Sequence, residues 1–218
     1  TYPARELQCA RVPQAPNTLI VGLAQFDDQT ARAVQQEFAT LTAYQQPILG
    51  HRNLESALFE LLYALPDLYL PAIANAQLPP VYIEALRDYQ IDVILTQQLP
   101  TERLPAALTD FDTQQRPNPS ATIEIITTGQ WSPELQQLIQ QQLERGNQIF
   151  VVGLTPHQAK GEQGYAQQAM QVNLLYSEYI PLQAHPLALL TDIMPTVLAS
   201  YLNCVDDANA YSIGVDLT

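Results

Sequence analysis

Thr122-Ile-Glu-Ile-Ile-Thr127, Ser132-Pro-Glu-Leu-Gln-Gln-Leu-Ile-Gln-Gln-Gln-Leu-Glu-Arg-Gly146 and Gln148-Ile-Phe-Val-Val152 follow one another in the chain. They read as strand, helix and strand. The flanking runs are short, apolar and β-branched, the pattern of strands buried on both faces. Between them, Ser132 stands where a helix cap belongs, Pro133 takes the first helical position and Glu134 lies at the positive end of the dipole. Gly146 supplies the stop. Leu135, Leu138, Ile139 and Leu143 recur at three- and four-residue steps and form the buried face.

The same alternation extends in both directions. Asn17-Thr-Leu-Ile-Val-Gly-Leu-Ala24 is another buried strand, after which Asp27 and Asp28 can cap a helix carrying Ala31, Val34, Phe38 and Leu41 on one face. Leu54 to Leu65 is a strongly apolar helix with Pro66 just past its end. Pro80 opens a third helix, with Tyr82, Leu86 and Tyr89 on a common side, and Ile91-Asp-Val-Ile-Leu95 is a strand. Thr1 to Pro16 reads as an extended lead-in, and Gln114 to Ser120 is the most linker-like stretch. Strands alternating with helices predict one α/β domain over residues 1–218, with a mainly parallel sheet covered on both sides.

Composition narrows the function. The 218 residues carry nine Lys plus Arg against 22 acids, a net charge of −13. Phosphate neutralisation needs clustered cations, and no basic run exists, so nucleic acid is excluded as a partner. Hydrophobic residues make up 47% of the chain, enough for a core. No apolar run reaches the roughly 18 to 20 residues that span a bilayer. The sequence starts at Thr1 without a signal-like segment, as expected of a domain cut from a longer chain or of a mature form. Cys9 and Cys204 sit near opposite ends. They fit no zinc pattern; a long-range disulfide is conceivable, and two unrelated buried thiols are the plainer expectation.

Catalytic motifs are absent: no G-x-S-x-G, Walker loop, G-x-G-x-x-G or H-E-x-x-H occurs. His51, His157 and His185 fall in apparent loops with no Asp or Glu at ligand spacing, which predicts solvated side chains and no bound metal or other cofactor. Asp27-Asp28 and Asp206-Asp207 read as cap and turn chemistry.

The C-terminal stretch adds a resemblance. Thr191-Asp-Ile-Met-Pro-Thr-Val-Leu198, then Asn203-Cys and Tyr211-Ser-Ile-Gly-Val-Asp-Leu217, resemble the closing signature of the alkaline-phosphatase/sulfatase superfamily, a D-I-x-P-T-L helix followed by a G-x-x-L segment. The Tyr-Ser-x-Gly-x-Asp-Leu form is most similar to inner-membrane sulfatase-like proteins of the YejM (PbgA) type. Pro16-Asn-Thr-Leu-Ile-Val21 and Leu58-Phe-Glu-Leu-Leu-Tyr-Ala-Leu-Pro66 resemble further blocks of the same proteins in the same order. The resemblance implies a three-layer αβα sandwich. It also implies a periplasmic domain tethered to the inner membrane by N-terminal helices that precede this stretch. Its implied partners are a lipid head group, cardiolipin or lipopolysaccharide, and inner-membrane proteins, in envelope lipid homeostasis.

Departures from the pattern imply loss of catalysis. Where active members end the first strand in a metal-binding Asp, this chain has Ala24; the nucleophile position falls near Asn53 and Leu54. The late D-H-G motif falls on Thr155, Pro156 and His157, and the last metal histidine on Gln168 or Ala169. Two-metal phosphoryl or sulfuryl transfer needs carboxylates, imidazoles and an activated nucleophile, and these positions do not supply them. The expectation is a pseudoenzyme whose vestigial edge comprises Ala24, Asn53, Leu54, Thr155 and His157, with Arg5, Arg11 and Arg52 as candidate head-group contacts. The rival readings are an active phosphatase, sulfatase or phosphoethanolamine transferase with atypical ligands, and a plain protein-interaction module.

Overall fold

The computed structural model describes residues 9–99, 119–156, 170–204 and 214–218. In chain order these form β1 (Cys9–Arg11), β2 (Thr18–Leu23), α1 (Asp28–Glu37), β3 (Leu41–Ala43), β4 (Ile48–Leu49) and α2 (Leu54–Tyr63). A 3-10 turn (Asp67–Tyr69) leads into α3 (Leu70–Ala76), α4 (Tyr82–Asp88), β5 (Ile91–Gln97), β6 (Ala121–Thr128), α5 (Pro133–Glu144) and β7 (Gln148–Gly153). Then come β8 (Gln171–Val172), β9 (Leu174–Ser177), β10 (Ala188–Leu189), a second 3-10 turn (Leu190–Asp192), α6 (Ile193–Ala199) and β11 (Leu202–Cys204).

Six strands make the central sheet in the order β3-β9-β7-β2-β6-β5. β7, β2, β6 and β5 are parallel neighbours, while β9 runs antiparallel to both β7 and β3. Alternate residues of one strand enter two separate cores. Ile20, Ile123, Ile125, Phe150 and Val152 pack with α2, α4 and α6 on one face. Leu19, Val21, Leu23, Ile149 and Val151 meet Ala31 and Val34 of α1 and Leu135 and Ile139 of α5 on the other. Successive side chains of a strand point to opposite faces, so continuous apolar runs are what a doubly covered sheet requires. The expected three-layer αβα architecture is present.

The local signals act as expected at α1 and α5. Asp27 Oδ1 accepts the Thr30 amide at 2.7 Å and Ser132 Oγ accepts the Leu135 amide at 3.3 Å. Gly146 stands at φ 73° beyond the end of α5, where a side chain would be strained. Three expectations are corrected, and one helix is added. Leu41 leaves the α1 face and forms β3, buried there, because the helix ends at Phe38. The lead-in is not merely extended: its residues 9–11 pair antiparallel with β11. Cys9 is disulfide-bonded and lies in register with Cys204, the chain's other cysteine, so two unrelated thiols are ruled out. Finally, α3 was not anticipated, since Pro71 near its start reads as a breaker until the first-turn position makes its missing N–H harmless. The linker-like stretch lies largely outside the described residues, as does Asp206-Asp207.

The closing segment is held by two polar side chains. Asp192, 2% exposed, stands just before α6 without capping it; its carboxylate accepts the Leu189 amide at 2.7 Å and the Val215 amide at 2.8 Å. Thr196 Oγ1 donates to the Asp192 carbonyl at 2.6 Å and accepts the Leu217 amide at 3.0 Å. Gly214 lies so close to the Thr191 carbonyl that a Cβ would stand 2.0 Å from the oxygen. The D-I-M-P-T and G-V-D-L signatures are therefore two halves of one backbone clamp.

Burial drives the Asp192 carboxyl above its ordinary range, against the pull of its two amide bonds, and burial likewise raises Glu124, opposed by Arg145. A carboxyl whose folded pKa exceeds its unfolded value binds its proton more tightly in the folded state. The stabilisation is full below the ordinary carboxylate range, about 4, and is lost as pH rises through the raised values. The melting temperature is therefore expected to be higher near about pH 5 than at neutral pH in thermal scans at constant ionic strength. A protein that melts lower at the acidic pH would contradict this assignment.

Candidate functional site at the carboxyl edge of the sheet

In open α/β sheets the crevice for ligands lies beyond the carboxyl ends of the parallel strands. Ala24, half-buried, directly follows β2 and extends the ladder through its amide to the Thr128 carbonyl at 2.9 Å. Thr155, two residues past β7, donates its hydroxyl to the Ala24 carbonyl. These two predicted edge residues are thus brought together, and the threonine hydroxyl is committed to backbone. Exposed Asn53 caps α2, accepting the Glu55 and Ser56 amides at 2.8 and 3.2 Å, and Leu54 opens the helix behind it. His157 lies outside the described residues, as do Gln168 and Ala169.

Neighbouring backbone approaches this edge closely. The Gly50 amide donates to the Met170 carbonyl at 2.8 Å and the His51 amide to the Leu154 carbonyl at 3.1 Å. A Cβ on Gly50 would come within 2.7 Å of the Leu154 oxygen. β4, β8 and β10 form a small three-stranded sheet at this point. Beside it, a cavity of about 520 Å³ is lined by Phe26, Asp27, Asp28, Tyr44, Gln45 and Asn173 among others, with no Lys or Arg in its wall.

The candidate cations do not converge. Exposed Arg52 lies at the carboxyl edge, but exposed Arg11 lies in β1, whose neighbour Val12 bonds Tyr201; the Tyr201 hydroxyl bonds Thr18, the first residue of β2. Arg11 and Arg52 therefore occupy opposite ends of the sheet. Arg5 lies outside the described residues.

The reading of His51 as a loop histidine with no acid at ligand distance is corrected. His51 Nε2 is 3.3 Å from Asp67 Oδ2, and Glu60 completes a half-buried group whose potential ligand atoms all lie within 4.8 Å of one another. Ser56 Oγ donates to Asp67 Oδ2 at 3.1 Å, and the Asn53 amide donates to His51 Nδ1 at 3.1 Å. Burial raises the Glu60 carboxyl above its usual range, partly offset by His51 and by the Asp67 amide. The sequence contained one usable signal, seven-residue spacing of Glu60 and Asp67. The intervening bend at Ala64, in the left-handed region at φ 53°, is what folds the 3-10 turn back onto α2.

This arrangement of layers and strand order defines an alkaline-phosphatase-like fold. No family profile and no curated protein matches the sequence. Among solved structures, the chain is similar to the lipoteichoic acid synthase LtaP from Listeria monocytogenes, with a TM-score of 0.58 at 11% identity. The match covers 93% of this chain and 75% of that one. At that identity it shows the fold, and it does not single out the YejM type.

Proposed function

We propose that this domain is a non-catalytic alkaline-phosphatase-like module that acts by binding a partner at the cell envelope. The observation that carries the reading is the Ala24–Thr155 contact. Where two-metal transfer needs a carboxylate at the end of the first strand, there is a methyl group, and the late strand's hydroxyl is spent on that residue's own carbonyl. Asn53, at the nucleophile position, is spent on capping α2. The disulfide at Cys9 supports an oxidising compartment, in keeping with a periplasmic or extracellular domain of a membrane protein. No single helix among the described residues is long and apolar enough to cross a membrane.

Charge favours one of the two partner classes. A net charge of −13 and an edge cavity walled by Asp27 and Asp28 repel an anionic head group, and Arg52 alone does not reverse that. An inner-membrane protein is the better-suited partner, with cardiolipin or lipopolysaccharide the weaker alternative. A second reading, an active transferase or hydrolase with atypical ligands, draws on the His51, Glu60 and Asp67 group. The Ser56 hydroxyl that donates to Asp67 is buried, which keeps it from meeting a substrate as a nucleophile.

The test is hydrolysis of nitrophenyl phosphate and nitrophenyl sulfate by the purified protein with zinc, manganese or magnesium. Release no faster than a boiled control is expected. A metal-dependent rate abolished by Asn53→Ala or His157→Ala would overturn the reading.

A further inference from the structure

We propose that His51, Glu60 and Asp67 form a binding site for one divalent transition-metal ion, zinc by its donor set, which clips the bend after α2. Imidazole nitrogen and carboxylate oxygen are both zinc donors, and three of them leave a fourth position for water. The 3.3 Å between His51 Nε2 and Asp67 Oδ2 is long for a charge-assisted hydrogen bond. It matches the edge of a tetrahedron whose metal–ligand bonds are about 2.0–2.1 Å, roughly 3.3 Å. The carboxylates supply two negative charges, and no Lys or Arg ion pair meets them among the described residues.

The three ligands come from three segments: the loop before α2, the helix itself, and the 3-10 turn beyond it. The apolar helical stretches Leu54–Tyr63 and Asp67–Ala76 meet at 95°, and an ion here would fix that angle. A supporting layer is in place. Ser56 Oγ holds Asp67 Oδ2, and the Asp67 amide holds the Glu60 carboxylate. The Asn53 amide directed at Nδ1 sets the neutral metal-free ring with its proton on Nε2, toward Asp67. An ion takes that proton's place. The ring proton then moves to Nδ1 and the Asn53 amide gives up its bond, so that bond and the Nε2 contact with Asp67 are both exchanged for three metal bonds.

Calorimetric titration of the chelator-treated chain with zinc chloride is expected to show one saturable site and a zinc-dependent rise in melting temperature. His51→Gln, Glu60→Gln and Asp67→Asn should each weaken binding by roughly tenfold or more, as loss of a ligand from a three-ligand site requires. Asp28→Asn, in the separate acidic pair, should leave it unchanged. His51 and Asp67 are partly exposed, so their variants should keep the metal-free melting temperature, which separates lost binding from lost folding. Cobalt substitution should give a tetrahedral visible band that His51→Gln abolishes. No saturable zinc binding, or binding that survives both His51→Gln and Asp67→Asn, would overturn the proposal. Zinc-dependent hydrolysis lost in His51→Gln would keep the site while sinking the non-catalytic reading, so the two fail separately.

Discussion

Leu198→Ala is expected to destabilise the protein by about 2–5 kcal/mol, the range for truncating a well-packed core leucine. Leu198 is 2% exposed and belongs to the core that α2, α4 and α6 build against one face of the sheet. Its neighbours on the same short helix, Ile193 and Val197, are fully buried, and Tyr201 and Leu202 just beyond are buried as well. Little room therefore exists for the surroundings to collapse into the cavity. The cost arises from lost transfer free energy plus the void. Urea denaturation should show a lower midpoint with an unchanged slope. A loss well below about 1 kcal/mol would mean that α6 is not packed as described.

Breaking the Cys9 disulfide should cost a comparable amount, about 2–5 kcal/mol. The bond joins β1 to β11, near the two ends of the chain, so it removes more denatured-state freedom than a short loop closure would. Among the described residues, β1 and β11 are three-residue strands paired only with each other, which is too little sheet to be stable alone. Other ties on that side include the Val12 amide to the Tyr201 carbonyl at 2.8 Å and the Tyr89 hydroxyl to the Cys9 carbonyl. Cys9→Ser should lower the urea midpoint, and dithiothreitol should lower that of the unmodified protein to the same value. A midpoint indifferent to reductant would show that the bond is not closing the chain. The same sensitivity bears on location, because a fold leaning on one disulfide belongs in an oxidising compartment.

What was legible in the sequence was periodic. The run from Thr122 to Val152 became β6, α5 and β7 almost to the residue, because caps, a stop glycine and β-branched runs act within a few residues of themselves. The neutral character of Ala24, Asn53 and Thr155 was legible too, since formal charge follows from identity; that the Asn53 and Thr155 oxygens are spent on backbone groups was not. Tertiary structure decided what depends on distance through space. Leu41 could extend a helix face or start a strand, and only pairing with Ser177 settled it. Asp192 stands at the start of α6, yet the amide of Val215 that it holds lies 23 residues away. Cys9 and Cys204 could not be joined from spacing, because the register of two short strands sets their approach. His51 was set aside for lack of a nearby acid, and the bend at Ala64 brought one from sixteen residues downstream. Local chemistry is written in the order of residues; a site assembled from separate segments is written only in the turns that fold them together.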